Sequence, residues 1–222
     1  MFERTEIILG KENIEKLKQS KIIIFGVGGV GGYACEMLAR MGVGEITIVD
    51  FDVVSKSNIN RQIIALNSTV NKLKVDVMSK RVKDINPDCN IVALNEKLLP
   101  ENIEKFNLQY YDYVIDCIDM LKSKTSLIDY CYKNNIKIIC AMGAGNKRGI
   151  PKFEVCDIFK TQYDNLAKKL RKELKVLGVK KLDVVCSNQQ SIKAEKVGSL
   201  VYYPAVCGAT LASFVVESLL EK

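Results

Sequence analysis

Lys21-Ile-Ile-Ile-Phe-Gly-Val-Gly-Gly-Val-Gly-Gly-Tyr-Ala-Cys-Glu-Met-Leu-Ala-Arg40 reads as a strand, a glycine turn and a helix start in one unit. Ile22 to Phe25 is a short β-branched and aromatic run of the kind buried on both faces of a parallel sheet. Gly26, Gly28 and Gly31 make a G-x-G-x-x-G turn, and from Tyr33 the pattern is helical. Glycine permits positive φ and leaves backbone N–H groups open to a phosphate, which the following helix N-terminus also attracts. A nucleotide is the default ligand, and the turn fits dinucleotide enzymes and ATP users alike.

Outward from this unit, Glu45-Ile-Thr-Ile-Val-Asp50 is a second strand whose acidic end lies nineteen positions after Gly31. Asp50 there suits a ribose hydroxyl, or equally a cap or turn. Asn90 to Asn95, Tyr113 to Asp119 and Lys137 to Ala141 are further strands, with helices over Asn71 to Ile85 and Lys124 to Asn134 and a short one over Pro100 to Phe106. This alternation predicts an α/β fold, a doubly wound, mainly parallel, Rossmann-like sheet. The expected organisation is one domain: an N-terminal helical arm at 1–20, a nucleotide-binding core at 21–150 and a C-terminal extension at 151–222.

Beyond Pro151 the rhythm changes. Lys152 to Asp157 reads as an added strand, Asp164 to Leu177 as an amphipathic helix, Asn188 to Gly198 as a polar loop or lid, Ser199 to Pro204 as a late strand and Ala205 to Leu220 as a closing helix. The helix at 164–177 carries Lys168, Lys169, Arg171, Lys172 and Lys175 around a leucine stripe. That basic face suits RNA phosphates or plain solvent.

Composition narrows the chemistry. The 222 residues carry a formal net charge of +7, which fits a polyanionic partner or a solvated basic surface. There is no histidine, which removes Ser-His-Asp and Cys-His catalysis, histidine-ligated metals and imidazole proton relays. Eight cysteines are scattered without a C-x-x-C pair, so neither a zinc site of ordinary spacing nor a disulfide framework is expected. Most of these cysteines should pack as small hydrophobes. No apolar run approaches the roughly 20 residues needed to span a bilayer, and no signal-peptide apolar core is seen near the start. The expectation is a soluble, cytoplasmic protein.

After Asp50, the loop Phe51-Asp52-Val-Val-Ser-Lys-Ser-Asn58-Ile-Asn60-Arg61-Gln62 lies beyond a strand's carboxyl end, where open α/β sheets bind ligands. Its amides and its guanidinium offer several donors to phosphates.

Gly26-Val-Gly-Gly-Val-Gly31, Asp50-Phe-Asp52, Ser57-Asn-Ile-Asn-Arg-Gln62, Lys74 and Asp116-Cys-Ile-Asp119, in this order, resemble the ThiF/MoeB/E1-type adenylating superfamily. Arg4-Thr-Glu, Gly143-Ala-Gly-Asn146, Asp157 to Thr161, Asp164-Asn-Leu-Ala167 and Gly198 to Pro204 look like one branch, the tRNA threonylcarbamoyladenosine dehydratases. The resemblance implies that ATP phosphates sit on Gly26, Gly28, Gly29 and Gly31. Asp50 would then hold the ribose, Asn58, Arg61 and Lys74 the triphosphate, with Asp52, Asn60 and Gln62 also among the nucleotide-binding residues. Arg61, Lys74, Asp119 and Arg4 are the implied catalytic set, with Mg²⁺ on Asp119 and Arg4 reaching the other protomer's ATP across a homodimer. The implied reaction is ATP-dependent cyclisation of the threonylcarbamoyl group on adenosine 37 of tRNA through an acyl-adenylate; a sulfur-transfer partner protein stays open.

Met120 stands where MoeB-like members have asparagine, and the zinc cysteines of many superfamily members are absent. Other readings are E1-like activation of a sulfur-carrier C-terminus at the same site, an NAD-dependent oxidoreductase, and a non-catalytic nucleotide-binding protein. The oxidoreductase leaves Arg61, Lys74 and Asp119 without a task.

Overall fold

The computed structural model describes residues 1–221. Its helices are α1 (Glu3–Leu9), α2 (Lys11–Gln19), α3 (Gly31–Met41), α4 (Lys74–Ile85), α5 (Leu121–Lys133), α6 (Asn165–Val176) and α7 (Tyr202–Leu220). Its strands are β1 (Lys21–Phe25), β2 (Glu45–Val49), β3 (Asn90–Leu94), β4 (Tyr113–Asp116), β5 (Ile138–Ala141), β6 (Glu154–Asp157) and β7 (Asp183–Cys186). They form one seven-stranded sheet in the order β3-β2-β1-β4-β5-β7-β6. All pairs are parallel except β6 with β7. The expected doubly wound sheet is therefore observed, with an antiparallel edge.

Strand β1 is central because its alternating side chains feed two cores. Ile22 and Ile24 join Leu38 of α3, Met78 of α4 and Leu211 and Val215 of α7. Ile23 and Phe25 join Val114, Leu127 of α5 and Phe106 on the other face, where the Phe25 and Phe106 rings meet edge-on at 5.2 Å. A strand buried on both sides has no reason to alternate polar and apolar residues, which is why it reads as a continuous run. A third cluster packs Leu170 and Leu174 of α6 on Val184 and Cys186 of β7.

The chain winds from β1 outward to β2 and β3, then returns to place β4 on the other side of β1. The reversal leaves a crevice beyond the carboxyl ends of β1 and β4.

Several expectations are corrected. No strand forms at Ser199–Pro204; α7 begins at Tyr202 and takes Pro204 into its first turn, where a missing N–H costs nothing. With that turn included, α7 is long and apolar enough to cross a membrane by length and composition alone, contrary to the expectation that no run approached that length. Here its Leu211, Val215 and Leu219 are core residues. Strand β7 was not anticipated: its apolar run, Val184-Val185-Cys186, is too short to show a period. Helix α1 lies within the helical arm expected at 1–20, and it buries no residue.

Candidate active site

The crevice is a cleft of about 540 Å³. Its floor is the glycine turn. Gly26 has φ +88°, and a Cβ there would lie 3.0 Å from the Cys117 carbonyl oxygen, so β1 and β4 approach this closely only with glycine at that position. A Cβ on Gly31 would stand 1.8 Å from the Gly26 carbonyl oxygen. Gly31 therefore lets α3 close onto the turn, and it does not line the cleft as Gly26, Gly28 and Gly29 do.

Asp50 locks the turn from β2. Its carboxylate accepts from the Val27 N–H at 2.8 Å and from the Asp52 N–H at 2.9 Å. Lys74 opens α4, and its ammonium meets the Asp52 carboxylate at 2.7 Å. The lysine side chain is 7% exposed and its partner 49%, so the pair sits in the cleft wall with the carboxylate toward solvent. Both residues line the cleft.

In the 55–62 loop the residues divide. Arg61 and Gln62 line the cleft. Arg61 donates to the Ser57 carbonyl at 2.8 Å and the Asn60 amide oxygen at 2.9 Å, which aims its fork. Gln62 is buried, and its amide oxygen has no partner in the protein. Asn58 accepts from the Ser55 N–H at 3.1 Å and Asn60 donates to the Ser199 carbonyl at 3.1 Å. These two shape the loop and do not line the cleft. Arg4 is exposed on α1, away from the cleft lining.

Asp119 is exposed and lines the cleft opposite the glycine turn, beside Met120. Beneath it lies a pair that the sequence reading did not single out. Asp116 accepts from the Ile118 N–H at 3.0 Å and pairs with the Lys124 ammonium at 2.7 Å, both side chains at 0% exposure. Burial works to lower the Lys124 pKa, but Asp116 outweighs it and the net shift is upward. The signal was present: Lys124 occupies an apolar-stripe position of α5 with Leu127, Ile128 and Cys131.

The opposite wall comes from the β5 loop and the segment leading to α7, through Gly143, Gly145, Leu166, Val197, Ser199 and Pro204. Asp164 caps α6 by accepting from the Ala167 N–H and also accepts from the Gly143 N–H, each at 2.8 Å. Lys147 is buried, donates to the carbonyls of Ser187 (3.1 Å) and Gln189 (2.6 Å), and has its pKa lowered by burial. Of the α6 cations, Lys168, Lys169, Lys172 and Lys175 are exposed, whereas Arg171 is half-buried and donates to the Thr161 carbonyl and hydroxyl.

All eight cysteines are free. Cys117 lines the cleft, but burial holds its thiol well above the ordinary range, and the same cause acts on Cys186 and Cys207. A protonated thiol is a poor nucleophile. Among the described residues no three His, Cys, Asp or Glu side chains gather to hold a metal ion.

The tRNA threonylcarbamoyladenosine dehydratase of Bacillus subtilis (strain 168) is 40% identical over 99% of this chain and 94% of its own. Crystal structures of the E. coli tRNA N6-threonylcarbamoyladenosine dehydratase with ATP and with AMP match with TM-scores of 0.94 and 0.93. Each is 33% identical and is covered over 93% of its length, by 99% and 98% of this chain respectively. The molybdopterin-synthase adenylyltransferase of Haemophilus influenzae is 38% identical over 59% of this chain and 52% of its own. The glycine floor, the Asp50 lock and the Lys74 and Asp119 walls thus lie in a sequence matched from residue 2 to 222, and the chain belongs to the ThiF family.

Proposed function

We propose that the protein is an ATP-dependent enzyme that cyclises N6-threonylcarbamoyladenosine at position 37 of tRNA. The observation that carries this is the convergence of Gly28, Arg61, Lys74 and Asp119 on one cleft, in a chain 40% identical to a dehydratase of that name along nearly its whole length.

An oxygen of the threonyl carboxylate attacks the α-phosphorus of ATP, and pyrophosphate leaves with the electron pair of the broken P–O bond. The carbamoyl oxygen then adds to the acyl carbon and AMP departs; the nitrogen-bound proton passes to solvent as the ring closes. Such steps need placement and charge neutralisation more than a side-chain acid or base. In this reading the glycine-turn N–H groups and the Arg61 fork bind phosphate oxygens. The Lys74 ammonium turns from Asp52 toward the phosphates, and Asp50 orients the turn while a free lone pair accepts from a ribose hydroxyl.

Mg²⁺ commonly binds through one or two carboxylates plus substrate phosphates, and a single exposed Asp119 carboxylate fits that pattern. Such an ion would neutralise triphosphate charge. We read 1–222 as one adenylating unit that works as a homodimer. Helix α1 exposes Ile7 (80%) and Ile8 (81%), a face for the second copy, with Arg4 carried toward that copy's cleft. The exposed α6 lysines face the RNA.

The test is mass spectrometry of nucleosides from tRNA incubated with the protein and ATP, which should show the modified adenosine losing one water. Pyrophosphate exchange stimulated by a Gly-Gly-ended carrier, without that loss, would favour carrier activation, the reading to which the adenylyltransferase likeness points.

A further inference from the structure

We infer that residues 188–201 form a strap that seats the RNA's single-stranded nucleotides at the cleft, with Asn146 as its positioning residue. This rests on the tRNA reading and adds where the substrate enters.

Residues 188–198 have no regular structure and are exposed apart from a partly covered Gln189. A segment so poor in apolar burial should wander, yet polar bonds pin it along its length. Lys147 holds the Gln189 carbonyl. Asn146 accepts the Ile192 N–H on its carbonyl at 2.6 Å, donates its own N–H to the Gly198 carbonyl at 2.8 Å, and accepts the Gly198 N–H on its side-chain oxygen at 2.6 Å. Asn60, from the phosphate loop, holds Ser199. Val197 and Ser199 thereby become cleft wall, facing the side assigned to ATP. A carboxylate bound for the α-phosphate must pass that wall.

The strap's outer surface suits unpaired RNA. Lys193 and Lys196 are exposed, with Arg148 exposed beside the Asn146 pin, and Glu195 is the single acid in the segment. Ile192 and Tyr202 stand 51% and 42% exposed. Cations for phosphates interleaved with apolar and aromatic faces for unstacked bases are what single-stranded loops require. The α6 lysines, farther out, would hold the stem.

The experiment measures KM for modified tRNA and for ATP, with the salt dependence of tRNA binding. Lys193→Glu with Lys196→Glu should raise the tRNA KM about tenfold and reduce the salt slope by about two, with the ATP KM unchanged. Asn146 has φ +54°, so Asn146→Gly keeps its backbone and both backbone bonds while losing only the side-chain acceptor for the Gly198 N–H, and should raise the tRNA KM; Asn146→Asp, which keeps that acceptor, should stay near wild type. Wild-type tRNA KM in both the double variant and Asn146→Gly overturns the strap, as does a loss confined to a Gly-Gly carrier. A wild-type protein that cyclises nothing on tRNA overturns the functional reading itself, a separate result.

Discussion

The two walls of the cleft are built differently. The nucleotide wall hangs from β1, β2 and β4, whose side chains fill two cores, and its Gly26 and Gly31 leave no room for a side chain against neighbouring backbone. The opposite wall owes its place to capping and pinning bonds from Asp164, Asn146 and Lys147. One wall is rigid because moving it would open the core. The other can be displaced at the cost of a few hydrogen bonds, about 1 kcal/mol each. A shared ligand such as ATP suits the first, and a bulky RNA loop that must enter and leave suits the second.

Breaking the support of the rigid wall should cost most. Lys124→Met leaves Asp116 buried without its partner and should lower stability by about 3–5 kcal/mol; denaturant unfolding measures it, and a loss under about 1 kcal/mol would mean that the pair does not carry the 116–119 turn. Asp119→Ala and Lys74→Ala should leave unfolding nearly unchanged while reducing turnover about 10²–10³-fold each, read as cyclised nucleoside. Full activity in either strips that residue of its role.

Gly31→Ala sets a methyl against the Gly26 carbonyl and should cost about 3 kcal/mol, the upper end of overpacking. Gly28→Ala meets only the Gln62 amide at 3.6 Å, so it should fold normally and bind ATP less well; equal thermal shifts for the two would erase the distinction between packing and lining glycines.

The smallest effect is electrostatic and lies in the pinned wall. Burial lowers the Lys147 pKa below the ordinary 10.5, so the unfolded chain holds that proton more tightly. Stability should rise with pH between the lowered value and 10.5, with the burial penalty fully present below that window. Lys147→Gln should flatten the rise relative to wild type. Parallel pH profiles would mean that the ammonium is not strained in its site.

The same contrast governs what could be read in advance. Gly26, Gly28, Gly29, Asp50, Asp52, Arg61, Gln62, Lys74 and Asp119 all line the cleft, because strand ends and the turns after them are local features with local signatures. Gly31, Asn58 and Asn60 lie one layer behind, a distinction of three-dimensional packing that spacing does not carry. Strand β7 is a strand because β5 and β6 pair with it, and its four residues alone do not declare it. Pro204 looked like a boundary because proline usually is one, and only its place in the first turn of α7 makes it harmless. The strap leaves no periodic trace, since its partners lie some forty to fifty positions upstream, or further still at Asn60.

Helix α7 bears on how the enzyme comes into being. Pro204 approaches the floor at Gly29, and Gly208 leaves no room for a side chain against Val30, Tyr33 and Ala34. The glycine turn after β1 is thus braced by a helix far later in the sequence. A chain lacking that helix would carry every residue of the glycine turn and still have a bare flank where the turn needs support.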